Sequence, residues 1–185
     1  MKKILPGFAR KWAFNIYIRT KIKRVQYNQR KAEKKIRGKN KIRVVFFVVH
    51  APIWKLDNVY RKMLDDDRFD PSIVICPYTP FGKKIMNQFM DEAFIVFERK
   101  GYKPIRAYNS TTGKWLDVKN EMKPDIIFFT NPHYLTKKEY YISHYLNSLT
   151  CYVPYAFMTP NTYDYQFNQF FHNTVWKAFY ETPIH

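Results

Sequence analysis

The chain has 185 residues, enough for one domain with a buried core, and its formal charge of +17 is unevenly distributed. Residues 1–43 hold sixteen Lys or Arg and one acid, Glu33, whereas residues 44–185 hold sixteen basic and fourteen acidic side chains. The basicity therefore belongs to an N-terminal arm, and the overall charge is no argument for nucleic-acid binding. Two cysteines without a Cys-x-x-Cys pair favour reduced thiols in the cytoplasm over a disulfide framework or a zinc site.

Residues 1–40 are predicted to form a basic amphipathic helical arm, which begins after Pro6-Gly7 and ends at Gly38. Two apolar rows at helical spacing run along its first half, with basic side chains around them. The first row is Phe8, Trp12 and Ile16, the second is Phe14, Ile18, Ile22 and Val25, and the basic neighbours include Lys11, Arg19 and Lys23.

This pattern is typical of helices that bind an anionic membrane surface, and the first row with its basic neighbours would make the contact. Docking of an apolar row on the domain itself is the alternative. Nucleic-acid binding is a third and weaker possibility, because the arm has no recognised motif and no Arg/aromatic alternation. No apolar run approaches the roughly 20 residues that a membrane span needs.

Residues 41–185 are predicted to form a Rossmann-like α/β domain. Its central strand, 42–50, reads IRVVFFVVH and is apolar on both faces, as in the middle of a parallel sheet covered by helices. Further strands are predicted at 72–76, 104–108, 126–130 and within 150–158, and helices at 55–64, 83–100, 115–122, 136–149 and 163–180. Alternation of this kind predicts a parallel sheet with helices on both faces.

Motifs for cofactors and metals are missing from this pattern. No Gly-x-Gly-x-x-Gly follows the first strand, so no dinucleotide cofactor is expected. The acids Asp65, Asp66 and Asp67 follow a helix end and are interpreted as a solvated turn, so no metal is expected either. Lys83 and Lys84, at the start of a helix after Gly82, are a weak candidate phosphate site, although the P-loop pattern is absent.

The histidines are the better indication of chemistry. His50 and His133 both follow apolar strands, so both are expected at the carboxyl-end rim of one sheet, where α/β proteins bind ligands. An imidazole near neutral pKa can accept a proton from an attacking hydroxyl. The alternative is that each histidine terminates a strand. His144 and His172 lie in helical patterns and are interpreted as structural.

Several modest motifs together resemble one family. KIRVVFFVVHAPIWKLDNVYRKM, FDPSIVICP, PDIIFFTNPH, YVPYAFM and QFNQFFHNTVWKAFYETPIH are similar to segments of the CDP-glycerol glycerophosphotransferases, over about residues 40–185. The resemblance implies the acceptor-side half of a GT-B transferase that moves glycerol phosphate, or another polyol phosphate, from a CDP-linked donor to a lipid-linked, teichoic-acid-like or capsular acceptor.

The resemblance also implies roles for particular residues. His50 matches the position of the family's base, and Trp54, Asn131, His133 and Tyr155 match acceptor contacts less closely. The implied partners are an anionic membrane at the inner face of the cell membrane, a lipid-linked acceptor and a C-terminal donor domain. The chain stops at residues 181–185, where the family enters that domain, so it is expected to be inactive alone. The alternatives are half of another GT-B sugar transferase, or a non-catalytic membrane-docking domain.

Overall fold

The computed structural model describes residues 7–155 and 167–180, with side chains from residue 12 onward except those of 13 and 14. A long helix, α1 (Gly7–Arg37), precedes an α/β domain. The strands are β1 (Ile42–Val48), β2 (Phe69–Ile75), β3 (Ile105–Arg106), β4 (Ile126–Phe129), β5 (Leu149–Tyr152) and β6 (Lys177–Ala178). The remaining α-helices are α2 (Asp57–Leu64), α3 (Gly82–Arg99) and α4 (Phe170–Thr174).

The six strands form one sheet in the order β3-β2-β1-β4-β5-β6, and all neighbouring strands are parallel. In the register, Ile42 lies opposite Phe69 on β2, and Val44 lies opposite Ile126 on β4. The apolar run that predicted a central strand is therefore the centre of the sheet. The predicted Rossmann-like parallel architecture is confirmed.

Both faces of β1 are buried, because its residues alternate between two cores. Val44, Phe46 and Val48 pack with residues of α2 and α3, and the Phe46 ring stacks on Phe128 at 4.6 Å between centroids. Val45, Phe47 and Val49 pack on the opposite face, beneath the segments that precede β5 and beneath α4. The two-sided apolar pattern of the strand is thus explained by cover on both faces.

The arm docks on the domain through one face of α1. Val25 is 2% exposed, and buried Gln29 donates through Nε2 to the backbone oxygen of Thr174 at 2.7 Å. Asn28 bonds to Asn147 at 2.8 Å. The described part of the second apolar row therefore docks on the domain, with Val25 buried and Ile18 and Ile22 half-buried, whereas the side chain of Phe14 lies outside the described part. The first row behaves differently, because Trp12 remains 68% and Ile16 44% exposed.

The helix predicted over 136–149 is wrong. Two short 3-10 turns, Lys138–Tyr140 and Ile142–His144, occupy this stretch, and the Thr136 hydroxyl caps no helix. Tertiary contacts override helix propensity here, because Tyr140 donates its hydroxyl to the backbone oxygens of Ala107 and Leu116. Tyr140 and Ile142 are both buried although they are only two residues apart, a spacing that would place them on different sides of a regular helix.

The helix predicted over 163–180 is also wrong in its second half. Within the described residues 167–180, only Phe170–Thr174 is helical, and Lys177–Ala178 then pairs with β5 as a sixth strand. Trp176 donates its backbone N–H to the oxygen of Thr150 at 2.9 Å, so strand pairing replaces the helical bonds. The start of this prediction, 163–166, lies outside the described residues.

Other predicted elements are present with different bounds. The strand predicted within 150–158 ends at Tyr152, before Pro154, and its residues 156–158 lie outside the described part. The strand at 104–108 is reduced to Ile105–Arg106, and the helix at 115–122 is a π-helical turn over Val118–Met122. Gly101 closes α3 as expected, with a positive φ of 78°.

Candidate functional site

The chain reverses its direction of travel across the sheet beside β1. β1 is followed in sequence by its neighbour β2, whereas its other neighbour, β4, begins a second series of strands in the opposite direction. Ligands of open α/β sheets bind in the crevice beyond the carboxyl ends of the strands at such a switch point. His50 follows β1 and His133 follows β4, so the two predicted histidines flank this point.

His50 lies in an aromatic environment. Its ring centroid is 4.8 Å from that of Tyr78 and 5.7 Å from that of Phe89 on α3. Burial lowers the pKa of His50 below its usual 6.5, so the imidazole is neutral at pH 7. The described part of the chain makes no hydrogen bond or ion pair to this ring. A neutral imidazole with its nitrogens uncommitted is suited to accept a proton from a bound hydroxyl.

A cavity of about 430 Å³ opens beside the end of β4. Its walls are mostly aromatic and aliphatic, with a few polar groups between them. Its lining residues include Asn131, His133, Tyr134, Thr136, Gln169 and Phe170. Asn131 accepts the backbone N–H of His133 through Oδ1 at 2.7 Å, which leaves its amide NH₂ group for a ligand. A concave apolar site with few polar groups is typical of small-molecule binding.

The structure does not place His50 in that cavity, so the two predicted histidines lie at one rim but do not line one described site. His172, interpreted from the sequence as structural, lies in α4 and close enough to His133 to interact electrostatically. Both ring nitrogens of His172 are buried without a hydrogen-bond partner.

The remaining predicted acceptor residues lie elsewhere. The Trp54 ring packs on Phe97 at 5.1 Å, and its Nε1 donates to Asp57 at 3.0 Å, so this indole joins the core beneath α2 and α3. Tyr155 is half-buried beyond β5, and neither residue lines the cavity beside β4. Their acceptor roles stay predictions.

Lys83 and Lys84 are exposed in the first turn of α3, and Lys83 Nζ lies 5.9 Å from the Tyr108 ring centroid. Their phosphate role also stays a prediction. Among the arm residues, Arg19 and Lys23 are exposed, whereas the side chains of Phe8 and Lys11 lie outside the described part.

The acidic run after α2 is a turn, as expected. Hydrogen bonds from the Arg68 side chain and backbone lower the pKa of Asp66 to about 2. Over residues 7–155 and 167–180, no group of three His, Cys, Asp or Glu side chains is arranged to hold a metal ion. No helix in the same ranges is long and apolar enough to cross a membrane. Cys76 and Cys151 are buried free thiols, and burial raises the pKa of each, to about 12 for Cys151.

His172 predicts an acid sensitivity of the fold. Burial, with a smaller contribution from His133, lowers its pKa from 6.5 to about 4. Above pH 6.5 the imidazole is neutral in folded and unfolded chains alike. As the pH falls from 6.5 to about 4, only the unfolded chain takes up the proton, so the folded state loses stability.

We expect His172→Phe to remove this loss of unfolding free energy. The loss amounts to about 1–2 kcal/mol, because each pKa unit corresponds to about 1.36 kcal/mol and solvent screening reduces the total. Urea unfolding of both proteins at pH 7 and pH 4.5 measures it. Parallel pH dependence of the two proteins would contradict the burial argument.

Two separate features thus mark this rim: a neutral His50 at the switch point, and an aromatic cavity with a few polar groups beside β4. No protein-family model, curated protein or solved structure matches the chain.

Proposed function

We propose that this chain is the acceptor-side domain of a GT-B-like, membrane-peripheral transferase that moves a polyol-phosphate unit from a CDP-linked donor to a cell-surface polymer precursor. The observation that carries the proposal is the position of His50. A neutral imidazole beyond the central strand, at the topological switch point, lies where a bound acceptor would present its hydroxyl. The resemblance of residues 40–185 supplies the identity of the donor.

In the proposed reaction, the oxygen of the acceptor hydroxyl attacks the phosphorus that carries the glycerol. His50 takes the proton of that hydroxyl during the attack. A new P–O bond forms, the phosphoanhydride bond breaks, and CMP leaves with the bridging oxygen. The depressed pKa of His50 keeps the imidazole in its basic form at pH 7. The groups that hold CDP are expected on a donor domain facing this rim.

The cavity beside β4 supports binding of a polyhydroxylated acceptor. Aromatic walls, including Tyr134 and Phe170, offer the apolar faces on which sugar and polyol carbons pack. The Thr136 hydroxyl is buried without a hydrogen-bond partner, and the Asn131 amide keeps its donors. Buried polar groups normally have partners, so a ligand hydroxyl at these positions would satisfy them.

The outward face of α1 supports membrane association. This face carries one stripe of residues at spacings of four, three and four: Trp12, Ile16, Arg19 and Lys23. All four are exposed, on the side away from the docked Val25 and Gln29. An exposed indole and an aliphatic side chain beside two cations suit an anionic bilayer surface.

We expect Trp12→Ala combined with Ile16→Ala to weaken sedimentation with anionic vesicles about tenfold or more, because burial of one large apolar side chain contributes about 1.5–3 kcal/mol. Point variants are preferable to deletion of residues 1–38, which would also remove the docked Val25 and Gln29. Tyr17→Ala is the matched control, since Tyr17 is 58% exposed on the same helix but lies off the stripe. Unchanged binding of the double variant would exclude the stripe as the contact surface.

The proposed reaction is tested by a transfer assay with the protein carrying this domain, its donor domain, acceptor-bearing membranes and CDP-glycerol labelled in the glycerol. We expect label to pass into polymer with release of one CMP per unit transferred. CDP-glycerol labelled in the cytidine is the control, because its label must remain in solution. Label released as free glycerol phosphate, or transfer from a nucleotide sugar in place of CDP-glycerol, would contradict the proposal.

A further inference from the structure

Helix α1 has a third face besides the docked face and the exposed stripe. This face carries a row of residues at spacings of four, three and four: Tyr17, Lys21, Arg24 and Asn28. Lys35 continues the row two turns later. This row borders a groove between α1 and the domain. The opposite wall comes from two segments of the domain, 119–125 before β4 and 143–148 before β5.

The groove consists of two adjoining cavities of about 430 and about 280 Å³. Both are lined by Lys119, His144 and Asn147, so they form one path. The larger cavity also shares Ser143 with the cavity beside β4. The path therefore runs from the carboxyl-end rim along α1 to Arg43 and Asp125, at the amino ends of β1 and β4.

The charge of the groove is strongly positive. Its basic lining residues are Lys21, Arg24, Lys35, Lys39, Arg43, Lys119 and Lys123, and its only acidic lining residue is Asp125. Lys39 and Arg43 already neutralise Asp125 through ion pairs. Arg24, Lys35, Lys119 and Lys123 form no ion pair with the described residues. Along α1 alone, the cations from residue 21 to 35 span about 21 Å at 1.5 Å per residue.

Lys123 lies in the groove in a costly conformation. Its φ is 47°, the single positive φ at a non-glycine residue among those described, and it follows the π-helical turn Val118–Met122. Left-handed backbone disfavours a side chain with a Cβ, and π-helical turns occur frequently at functional sites. Strain of this kind persists where surrounding structure maintains it, and here it adds a cation to a basic recess.

The shape and lining of the groove define the class of ligand. Bases of single-stranded nucleic acids need aromatic side chains on which to stack, whereas the described lining of the groove has seven cations but only three rings, those of Tyr17, His144 and the buried Tyr145. A bilayer surface is flat and cannot enter a recess between a helix and a domain. We propose that this groove is a second binding site, for a linear chain of phosphate groups without aromatic bases.

The first test titrates the chain with short linear inorganic polyphosphate, which carries the phosphates but no attacking hydroxyl. We expect saturable binding that weakens steeply with salt. In the groove variant, Lys119→Gln with Lys123→Gly, affinity should fall about tenfold or more and the salt slope should decrease. Glycine tolerates the positive φ at 123, so the melting temperature should be unchanged or raised.

The matched control is Lys62→Gln with Lys103→Gln, which removes the same charge from exposed positions outside the groove. We expect the control to bind polyphosphate like the wild type. An equal loss of polyphosphate affinity in both variants would mean that net charge alone explains the binding, and it would overturn the proposal. Tighter binding of a single-stranded oligonucleotide with the same number of phosphates would also overturn it, as would displacement of polyphosphate by anionic vesicles. None of these outcomes depends on transferase activity, so the groove and the proposed reaction fail or stand separately.

Discussion

Replacing His50 by Gln is expected to lower polymer transfer by about 100-fold or more, the usual scale for a lost general base. Gln occupies similar space but cannot accept and carry the proton of the acceptor hydroxyl. Turnover should fall while KM for CDP-glycerol changes little, because the donor is expected on the other domain. The measurement is initial-rate kinetics of the transfer assay with saturating acceptor membranes.

The pH profile separates a base from a residue that merely supports the rim. Because burial lowers the pKa of His50, the acid limb of wild-type turnover should have its midpoint below pH 6.5. His50→Gln should lack that acid limb, and its melting temperature should match the wild type, since the buried β1 residues are untouched. Transfer at the wild-type rate would exclude the base role, and a greatly lowered melting temperature would favour a structural one.

Replacing Phe46 by Ala is expected to cost about 3–5 kcal/mol of unfolding free energy, the range for buried aromatic truncations. Phe46 is fully buried at the centre of the sheet, and its ring stacks on Phe128 and meets Trp54 and Tyr60 edge-on at 5.8 and 5.5 Å. The surrounding rings are held by their own strands and helices, so the resulting cavity can collapse only in part. Urea unfolding at pH 7 followed by circular dichroism measures the loss.

The control for Phe46 is Phe81→Ala. Phe81 is 68% exposed, just before α3, so its truncation should change stability by about 0.5 kcal/mol or less. A loss below about 1 kcal/mol at Phe46 would contradict the placement of β1 at the centre of the core.

The parts of the fold predictable from sequence are those fixed by long, unambiguous patterns. Residues 42–48 are apolar on both faces, which fits only a central covered strand, and the 18-residue helix α3 is bounded by Gly82 and Gly101. By contrast, the two-residue strand Lys177–Ala178 exists because β5 offers it unpaired backbone groups. Such a pairing between distant segments leaves no local periodicity to read.

The site was predictable to the same extent. His50 and His133 could be assigned to one rim because both follow strands of a parallel sheet. Their separation could not be predicted, since it depends on Tyr78 and Phe89 enclosing His50 and on α4 closing the cavity beside β4. The third face of α1 could not be predicted either, because the sequence shows two apolar rows, and the row from Tyr17 to Asn28 borders a groove only where α1 docks on the domain.

The division of labour between acceptor and donor domains is tested most directly by calorimetric titration of residues 1–185. A glycerol-phosphate oligomer with a free terminal hydroxyl and CDP-glycerol would be titrated separately into the variant Lys119→Gln with Lys123→Gly, so that the groove along α1 contributes little to the binding. We predict saturable binding of the oligomer and no saturable heat from CDP-glycerol or CMP at sub-millimolar concentration, because no glycine-rich phosphate loop follows β1. Saturable binding of CDP-glycerol, or none of the oligomer, would contradict the acceptor-side assignment.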